Sequence, residues 1–282
     1  MSIPVISLLT DFGQSDHYVG VMKGVMLDIV PDAVFADITH LISPQDIREA
    51  AYTLMNSVPF FPVHTVHLVV VDPGVGSRRR AVGVETPRGK FIAPDNGVLT
   101  YLLAQGIPFQ AVELSNPAYH LEEISTTFHG RDIFSPTAAH LAAGVPLTEF
   151  GPVIEDLVWL PQPILEIHPD RIVGEVLSVD HFGNLGTSIN SLQWSSGDTL
   201  SLKSIWGGEG EKRNQVEFSA KEVRVEIGDF SVQGISRTFS AVEPGQPLAL
   251  VGSDHALDLS LNQGNLAENL GALPGDRVTL NF

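Results

Sequence analysis

Cysteine is absent from this 282-residue chain, and basic residues are scarce. Without cysteine there can be no disulfide and no thiolate metal site. Only 16 Lys and Arg residues stand against 33 Asp and Glu, which leaves a formal net charge of −17. This charge argues against binding to nucleic-acid phosphates or to anionic membranes. It favours a cationic small molecule, although acidity also serves solubility alone.

Long apolar runs are lacking as well. The N-terminal stretch MSIPVISLLTDFG has no basic region, and its apolar run is too short for a signal peptide. No uninterrupted apolar stretch reaches the length of a membrane span. We therefore expect a soluble cytoplasmic protein. What the chain does have is 43% hydrophobic residues, which predicts one or two globular domains.

The first part of the chain alternates apolar runs with helical patterns. Strands are predicted at 3–9, 34–38 and 66–71, with helices at 17–31, 43–58 and 96–106. The helix at 43–58 is expected to begin at Ser43 or Pro44. The unbroken β-branched run VHLVVV predicts a strand buried on both faces. This order favours an α/β domain with a mostly parallel central sheet over residues 1–162.

The pattern changes after the PQP segment at 161–163. Short alternating runs separated by Gly, Asp and Ser predict a smaller all-β domain, a barrel or a sandwich, over residues 171–282. Residues 163–170 are expected to be a linker. The stretch GGEGEKRN at 207–214 predicts a mobile hairpin tip.

Two aspartates stand where predicted strands end. Asp11 lies in TDFG after the first strand, and Asp72 lies in DPGVGSRRR after the third. Ligands bind beyond the carboxyl ends of strands in open parallel sheets, although one isolated Asp there is often only a helix cap. Two aspartates at corresponding strand ends favour a ligand-binding site. DPGVGS is not a phosphate loop, because it matches neither GxGxxG nor the Walker pattern.

Two further motifs place polar groups beside glycine. His129 precedes Gly130 in TFHGRD, at the entry of a predicted helix. In DHFGNLG, Asp180 and Asn184 flank Phe182. An asparagine can pair with a nucleobase edge and a phenylalanine can stack on a base, but an Asx-turn between strands explains the same pattern.

Signatures of a metal centre or a serine nucleophile are missing. The sequence contains no HExxH and no GxSxG. The pairs His64/His67 and His17/His40 support a metal site only if a fold brings further ligands to them. We therefore expect neither a metal nor a serine nucleophile.

Seven motifs in order carry a family resemblance: TDFG, SPQDI, DPGVGS, APDNGVLT, TFHGRD, DHFGN and LNQGN. With them the chain resembles the S-adenosylmethionine hydroxide adenosyltransferases, which are adenosine-forming S-adenosylmethionine hydrolases related to fluorinases and chlorinases. The resemblance implies an α/β domain followed by a β-barrel-like domain, in a homotrimer whose sites lie between subunits. It implies S-adenosyl-L-methionine as substrate, adenosine and L-methionine as products, attack of an activated water or hydroxide at C5′, and no cofactor.

The resemblance also assigns roles to residues. The catalytic set falls on Asp72, Arg79 and His129, and it leaves Arg78 and Arg80 as surface or interface charges. The substrate-binding residues it implies are Asp11 for the ribose hydroxyls, Asn184 for adenine, Phe182 and Phe239 as aromatic walls, Asp180 for the methionine ammonium and Ser253 for the methionine carboxylate.

Two positions depart from the family pattern. Relatives tend to have Ser-Arg-Gly or Ser-Phe-Gly where this chain has Ser253-Asp254-His255. An extra acid near a substrate carboxylate is unfavourable unless Asp254 points away or pairs with His255. Gln45 stands where halogenases have a tryptophan over the substrate.

Two other functions are open alternatives. One is a 5′-halogenase, although halogenases of this superfamily carry Tyr-Ser or Tyr-Gly in place of His129-Gly130 and lack the acid of Asp72. The other is a protein that binds a nucleoside or S-adenosylmethionine without significant turnover. The complete Asp72, Arg79 and His129 set favours the hydrolase.

Overall fold

The computed structural model describes residues 3–203 and 215–282. The chain divides into two compact units, one ending at Leu160 and one beginning at Pro161. The predicted hairpin tip at 207–214 lies outside the described residues. In the described part of the chain, no helix is long and apolar enough to cross a membrane.

The N-terminal unit is a layered α/β structure. Its strands and helices are β1 (Val5–Thr10), α1 (Tyr18–Ile29), β2 (Val34–Thr39), α2 (Ile47–Ser57), β3 (Val66–Val70), β4 (Ala81–Thr86), β5 (Gly89–Pro94), α3 (Thr100–Leu103), β6 (Gln110–Glu113), a π-helix (Gly130–Phe134), α4 (Ser135–Ala142) and β7 (Val153–Ile154). Short 3-10 turns lie at Val58–Phe60, Pro117–Tyr119 and Leu147–Phe150. The three strands predicted first, at the positions of β1, β2 and β3, are confirmed.

The central sheet is mixed, so the predicted mostly parallel arrangement is not confirmed. In the described residues it has seven strands in the order β2-β1-β3-β5-β4-β6-β7. The β2-β1, β1-β3 and β3-β5 pairs are parallel, and the pairs of β4 with β5, β4 with β6 and β6 with β7 are antiparallel. The physical reason is the link from β4 to β5, because a two-residue connection joins antiparallel neighbours only.

Strand β3 is buried on both faces, as predicted. Val66, Leu68 and Val70 pack in the layer that contains α1 and α4, and Val69 and Val71 pack in the layer that contains α2 and α3. Full burial of one such aliphatic side chain contributes about 1.5–3 kcal/mol. The strand is therefore a rigid base for the residues that follow it.

Two helices begin later than predicted. Helix α2 begins at Ile47 because Asp46 is its N-cap and accepts the N–H of Glu49 at 2.8 Å. Gln45 precedes this cap with φ +69°, which is incompatible with a helix that starts at Ser43. Helix α3 covers only Thr100–Leu103, far less than the predicted 96–106.

The C-terminal unit is largely β. Its elements are β8 (Glu166–Ile167), β9 (Arg171–Val179), β10 (Leu185–Thr187), β11 (Leu192–Ser196), β12 (Thr199–Lys203), β13 (Gln215–Ser219), β14 (Arg224–Ile227), β15 (Phe230–Gln233), β16 (Ile235–Ser236), a 3-10 turn (Phe239–Ala241), β17 (Pro247–Val251), β18 (Leu257–Leu261), α5 (Leu266–Leu270) and β19 (Arg277–Asn281). Strand β8, inside the segment expected to be a linker, pairs with β9.

The large sheet of this unit is nearly closed. In the described residues its order is β15-β14-β19-β9-β10-β18-β17-β16, with β8 beside β9. Its two end strands, β15 and β16, are separated in the chain by Gly234 alone, so the sheet must curve back on itself. Strands β11, β12 and β13 form a second, smaller sheet. The result is a barrel-like core of the kind that the short alternating strands predict.

Candidate active site

The turn after β3 brings Arg79 back to Asp72. The carbonyl of Asp72 accepts the N–H of Val75 at 3.2 Å, and the carbonyl of Gly74 accepts the N–H of Ser77 at 3.0 Å. The Ser77 hydroxyl then accepts the N–H of Arg79 at 3.2 Å. These bonds reverse the chain within a few residues.

Gly76 allows this turn to touch a second loop. It has φ +74°, and a Cβ at this position would lie 2.3 Å from the carbonyl oxygen of Thr126. Only glycine tolerates both the backbone conformation and the close approach. The loop that it touches is the one that carries His129.

Asp72 and Arg79 form a two-pronged ion pair. Arg79 Nε donates to both carboxylate oxygens of Asp72, at 2.8 and 3.0 Å, and Nη2 also donates to Oδ2. Only 5% of the Asp72 side chain and 10% of the Arg79 side chain are exposed. Removing one partner of such a buried pair costs about 3–5 kcal/mol, because the other charge is left uncompensated.

His129 completes this network from the second loop. Its Nδ1 lies 3.0 Å from Arg79 Nη2. A guanidinium only donates hydrogen bonds, so Nδ1 must be the acceptor, and the neutral imidazole carries its proton on Nε2. Burial, together with the positive charge of Arg79, lowers the pKa of His129, while Asp72 and Asp132 partly oppose that effect. His129 is therefore neutral near pH 7.

Asp11 lies at the same edge of the sheet. Thr10 of β1 is in register with Val70 of β3, so Asp11 and Asp72 follow neighbouring parallel strands. Asp11 Oδ2 accepts the N–H of Gln45 at 2.8 Å, and the left-handed backbone of Gln45 directs that N–H. The structure thus brings two of the predicted acids to the carboxyl ends of β1 and β3.

The five predicted residues of the C-terminal unit line one pocket. They are Asp180, Phe182, Asn184, Phe239 and Ser253. The LNQGN motif also contributes Asn262, Gln263 and Gly264 to the lining. Phe182 is 70% exposed and Phe239 is 43% exposed, so two aromatic faces are available to a ligand.

The DHFGN turn is organised by Asp180. Its Oδ1 accepts the N–H of Phe182 at 2.8 Å and the N–H of Asn184 at 2.9 Å. Oδ2 accepts the side-chain amide of Asn184 at 2.7 Å. The Asx-turn that the sequence left open is therefore present at Asp180. It also orients the amide of Asn184 within the pocket.

Sequence reasoning missed Asp258, which lines this pocket from β18. A Cβ at Gly252 would lie 2.3 Å from Asp258 Oδ2 and 3.0 Å from Asp254 Oδ1, so both carboxylates crowd this glycine. Burial, with the charges of Asp254 and Asp180, raises the pKa of Asp258 to about 8. The available signal was an acid inside an alternating apolar strand. Asp254 itself accepts the N–H of Ala256 at 3.1 Å.

Arg80, predicted to be a surface or interface charge, is partly exposed and forms two ion pairs. Its Nε and Nη2 donate to Asp95 Oδ2 at 2.9 and 2.6 Å, and its Nη1 donates to Asp156 at 2.7 Å. It therefore ties the end of β5 to the segment after β7. Arg78 is exposed, in agreement with the prediction.

The two buried histidines of the sheet bond to hydroxyl groups. His67 Nδ1 lies 2.7 Å from Ser7 Oγ, and His40 Nδ1 lies 2.9 Å from Thr10 Oγ1. Burial lowers the pKa of His67 to about 4. Within residues 3–203 and 215–282, no group of three or more His, Cys, Asp or Glu side chains is placed to hold a metal ion.

Two family models cover most of the chain. The SAM hydroxide adenosyltransferase N-terminal domain matches residues 6–151, and the corresponding C-terminal domain matches residues 174–279. The chain belongs to the SAM hydroxide adenosyltransferase family. The recognition made from the seven motifs is thereby confirmed.

The named relatives of the chain include a hydrolase and a fluorinase. The chain is 39% identical to the (R)-S-adenosyl-L-methionine hydrolase of Salinispora tropica, over 98% of this chain and 97% of that one. It is 33% identical to a fluorinase of Actinoplanes sp., over 66% of this chain and 71% of that one. The crystal structure of an uncharacterized conserved protein from Thermotoga maritima matches with a TM-score of 0.85 and 33% identity, over 98% of this chain and 100% of that one.

Proposed function

We propose that this protein hydrolyses S-adenosyl-L-methionine to adenosine and L-methionine. The observation that carries the proposal is the buried network in which the Arg79 guanidinium lies between the Asp72 carboxylate and the neutral imidazole of His129. Such a set can hold one water molecule and stabilise the hydroxide formed from it. The near full-length similarity to a protein named as a hydrolase supports the same reaction.

The proposed step is in-line attack of the water oxygen on C5′. The C5′–O bond forms while the C5′–S bond breaks, and the bonding pair goes to sulfur. The sulfonium becomes the neutral thioether of methionine, so no acid is needed at the leaving group. The water loses one proton, which we assign to His129, and Arg79 stabilises the negative charge that develops on oxygen.

His129 accepts that proton at Nδ1, the atom that also accepts a hydrogen bond from Arg79. The guanidinium must therefore turn from Nδ1 to the attacking oxygen when the water is activated. The lowered pKa of His129, caused first by burial and then by Arg79, keeps the imidazole neutral and able to act as a base. Asp72 holds Arg79 through Nε and Nη2 and offsets its charge beside a cationic substrate.

Substrate binding is assigned to groups of matching chemistry. One oxygen of Asp11 accepts from Gln45, and we assign the other to the ribose hydroxyls. The Asn184 amide donates to Asp180, which leaves its oxygen to accept from the adenine amino group. The remaining assignments are Phe182 and Phe239 for stacking on adenine, Asp180 for the ammonium and Ser253 for the carboxylate of methionine.

The test is incubation with S-adenosyl-L-methionine in the presence of chloride or fluoride, followed by mass spectrometry. We expect adenosine and methionine in equal amounts from the wild type, and none above background from Arg79→Ala or His129→Ala. Arg78→Ala, at an exposed position of the same turn, is the matched control and should behave as wild type.

Three other outcomes would contradict the proposal. A 5′-halogenated nucleoside formed as fast as adenosine would make the protein a halogenase. Bound substrate with no product after hours would make it a binding protein. Near wild-type turnover in either alanine variant would exclude the proposed mechanism.

We also propose that the protein is a cytoplasmic homotrimer. Exposed apolar side chains of the N-terminal unit, including Leu41, Phe60 and Val63, support an association surface. Sedimentation equilibrium should give three times the 30.4 kDa chain mass. A monomer at micromolar concentration would exclude the trimer, and cell fractionation tests the location.

A further inference from the structure

Asp132 is a buried carboxylate that the proposed reaction does not use. It is 0% exposed. Its Oδ2 accepts the N–H of Ser125 at 2.8 Å, and its Oδ1 accepts Arg131 Nε at 2.5 Å. A buried charge needs such partners, since burying it alone is very unfavourable. The proposed reaction does not explain why a charged side chain is buried at this position.

The bonds of Asp132 close the loop that carries His129. Its main-chain oxygen accepts the N–H of Leu121 at 2.9 Å, and its N–H donates to the carbonyl of Phe128 at 3.2 Å. With the bond to Ser125, one residue holds the loop of residues 121–132 at three points. His129 directly follows the carbonyl of Phe128.

The same loop also meets the turn after β3. Gly76 approaches the carbonyl of Thr126 so closely that no Cβ fits between them. Asp132 and Gly76 therefore both restrict this loop, at the adjacent residues Ser125 and Thr126. The position that results is the one in which His129 Nδ1 meets Arg79 Nη2 at 3.0 Å.

The charge of Asp132 also acts on the imidazole. The charged or titratable groups around His129 are Arg79 and Asp72 from the turn after β3, His120 from the preceding segment and Asp132 from its own π-helix. Arg79 and burial favour the neutral ring, while both carboxylates favour the imidazolium. Arg131, with 36% of its side chain exposed, compensates Asp132 only in part.

We propose that Asp132 is a positioning residue for His129: it sets the place of the imidazole opposite Arg79 and supplies a fixed negative charge that favours transfer of the water proton to it. The kinetic part of this inference rests on the proposed function. The alternative is that Asp132 has a purely structural role and only stabilises the fold.

Asp132→Asn separates these two roles, because asparagine keeps the size and an oxygen acceptor for Ser125 but loses the charge. With histidine-selective ¹³C labelling, the His129 ring is followed by NMR from pH 4 to 9, and His129→Gln identifies its signal. We expect the pKa of His129 to fall in Asp132→Asn. In the kinetics, kcat should fall about tenfold with KM unchanged, and the acidic limb of the kcat profile should move to lower pH.

Arg131→Gln is the matched second variant, at a partly exposed position. It leaves the charge of Asp132 without its nearest cation, so the pKa of His129 should rise. This variant tests the charge even if Asp132→Asn does not fold. An unchanged His129 titration in both folded variants, or in Arg131→Gln alone if the other is unfolded, would overturn the proposal.

The NMR titration needs no turnover. If the wild type forms no adenosine, the proposed function fails, and the response of His129 to Asp132 is still measured. If adenosine forms and the titration does not respond, only the role of Asp132 fails.

Discussion

The cluster in the N-terminal unit and the pocket in the C-terminal unit place their carboxylates in opposite environments. In the N-terminal unit, Asp72 is paired with Arg79 and is almost fully buried. In the C-terminal pocket, Asp180 is bonded to N–H groups of its own turn, and none of the described lining residues is Lys, Arg or His. Asp258 there has a pKa raised to about 8.

This contrast fits the proposed substrate. The compensated cluster can hold a nucleophile that becomes anionic, because a guanidinium is present and its own charge is balanced. The described lining of the pocket holds carboxylates and no basic side chain, which is the charge balance expected of a site for a cationic ligand.

The largest effect is expected from Arg79→Lys. A lysine keeps the charge but loses the fork that reaches both Asp72 and His129, so kcat/KM should fall about 100- to 1,000-fold. Arg78→Lys, at the exposed neighbour, should leave kcat/KM unchanged. The kcat/KM for adenosine formation is measured by chromatography. A decrease of less than about threefold in Arg79→Lys would contradict the need for a forked guanidinium.

Gly76→Ala should disrupt the packing of the turn after β3 against the loop that carries His129. The added Cβ meets the Thr126 carbonyl at 2.3 Å and stands at φ +74°. We expect the free energy of unfolding to fall by about 2–4 kcal/mol. Gly24→Ala is the control, because Gly24 lies in α1 with nothing within 4 Å, and should add about 0.5–1 kcal/mol. Urea unfolding of both variants measures this, and equal midpoints would show that the close approach is not required.

Asp258→Asn tests the excess negative charge of the pocket. The pKa of Asp258 is raised from 3.8 to about 8, so between these values the folded protein keeps a proton that the unfolded chain releases. Stability from this group is therefore full below pH 3.8 and is lost as pH rises through 8. Asparagine cannot ionise, so the stability of Asp258→Asn relative to wild type should grow by up to about 1.4 kcal/mol for each pH unit between pH 5 and pH 8.

Asp170→Asn provides the control for that pH dependence. The side chain of Asp170 is 71% exposed. The unfolding midpoint of Asp170→Asn should therefore equal that of the wild type at both pH values. An Asp258→Asn advantage that does not grow with pH would contradict the raised pKa.

The smallest effect is expected from Phe182→Leu. Loss of stacking on a base should raise KM about tenfold, with kcat unchanged. The side chain is 70% exposed, so the unfolding midpoint should not move. Phe282→Leu, at a 41% exposed phenylalanine of the same unit that does not line the pocket, should leave KM unchanged. A larger change in kcat than in KM would mean that Phe182 acts on the reaction itself.

Much of the fold was predictable because its signals are local. The run VHLVVV predicted a strand buried on both faces, and β3 has that burial. The same logic failed for α3, where the pattern of 96–106 predicted a helix much longer than Thr100–Leu103. All four residues of α3 are buried, so its apolar pattern reflects the core around it and carries no helix boundary.

Some misses had a signal that the apolar pattern outweighed. The short link between β4 and β5 already required an antiparallel pair in a sheet expected to be mostly parallel. Asp258 stood out as an acid in an apolar strand. The ion pairs of Arg80 had no such signal, because Asp95 lies 15 residues away and Asp156 lies 76 residues away.

The motifs of the sequence alone identified the family, and the family resemblance then assigned Asp72 and the arginine seven residues after it, Arg79, to one catalytic set. These are short-range features, determined by residue type and by one turn. The contact of Arg79 with His129 joins residues 50 apart, and the pKa of Asp258 is raised first by burial and then by charges that include the distant Asp180. Only the tertiary structure decided this contact and this pKa, because hydrogen-bond distances and burial depend on the packing of residues that are distant in the sequence.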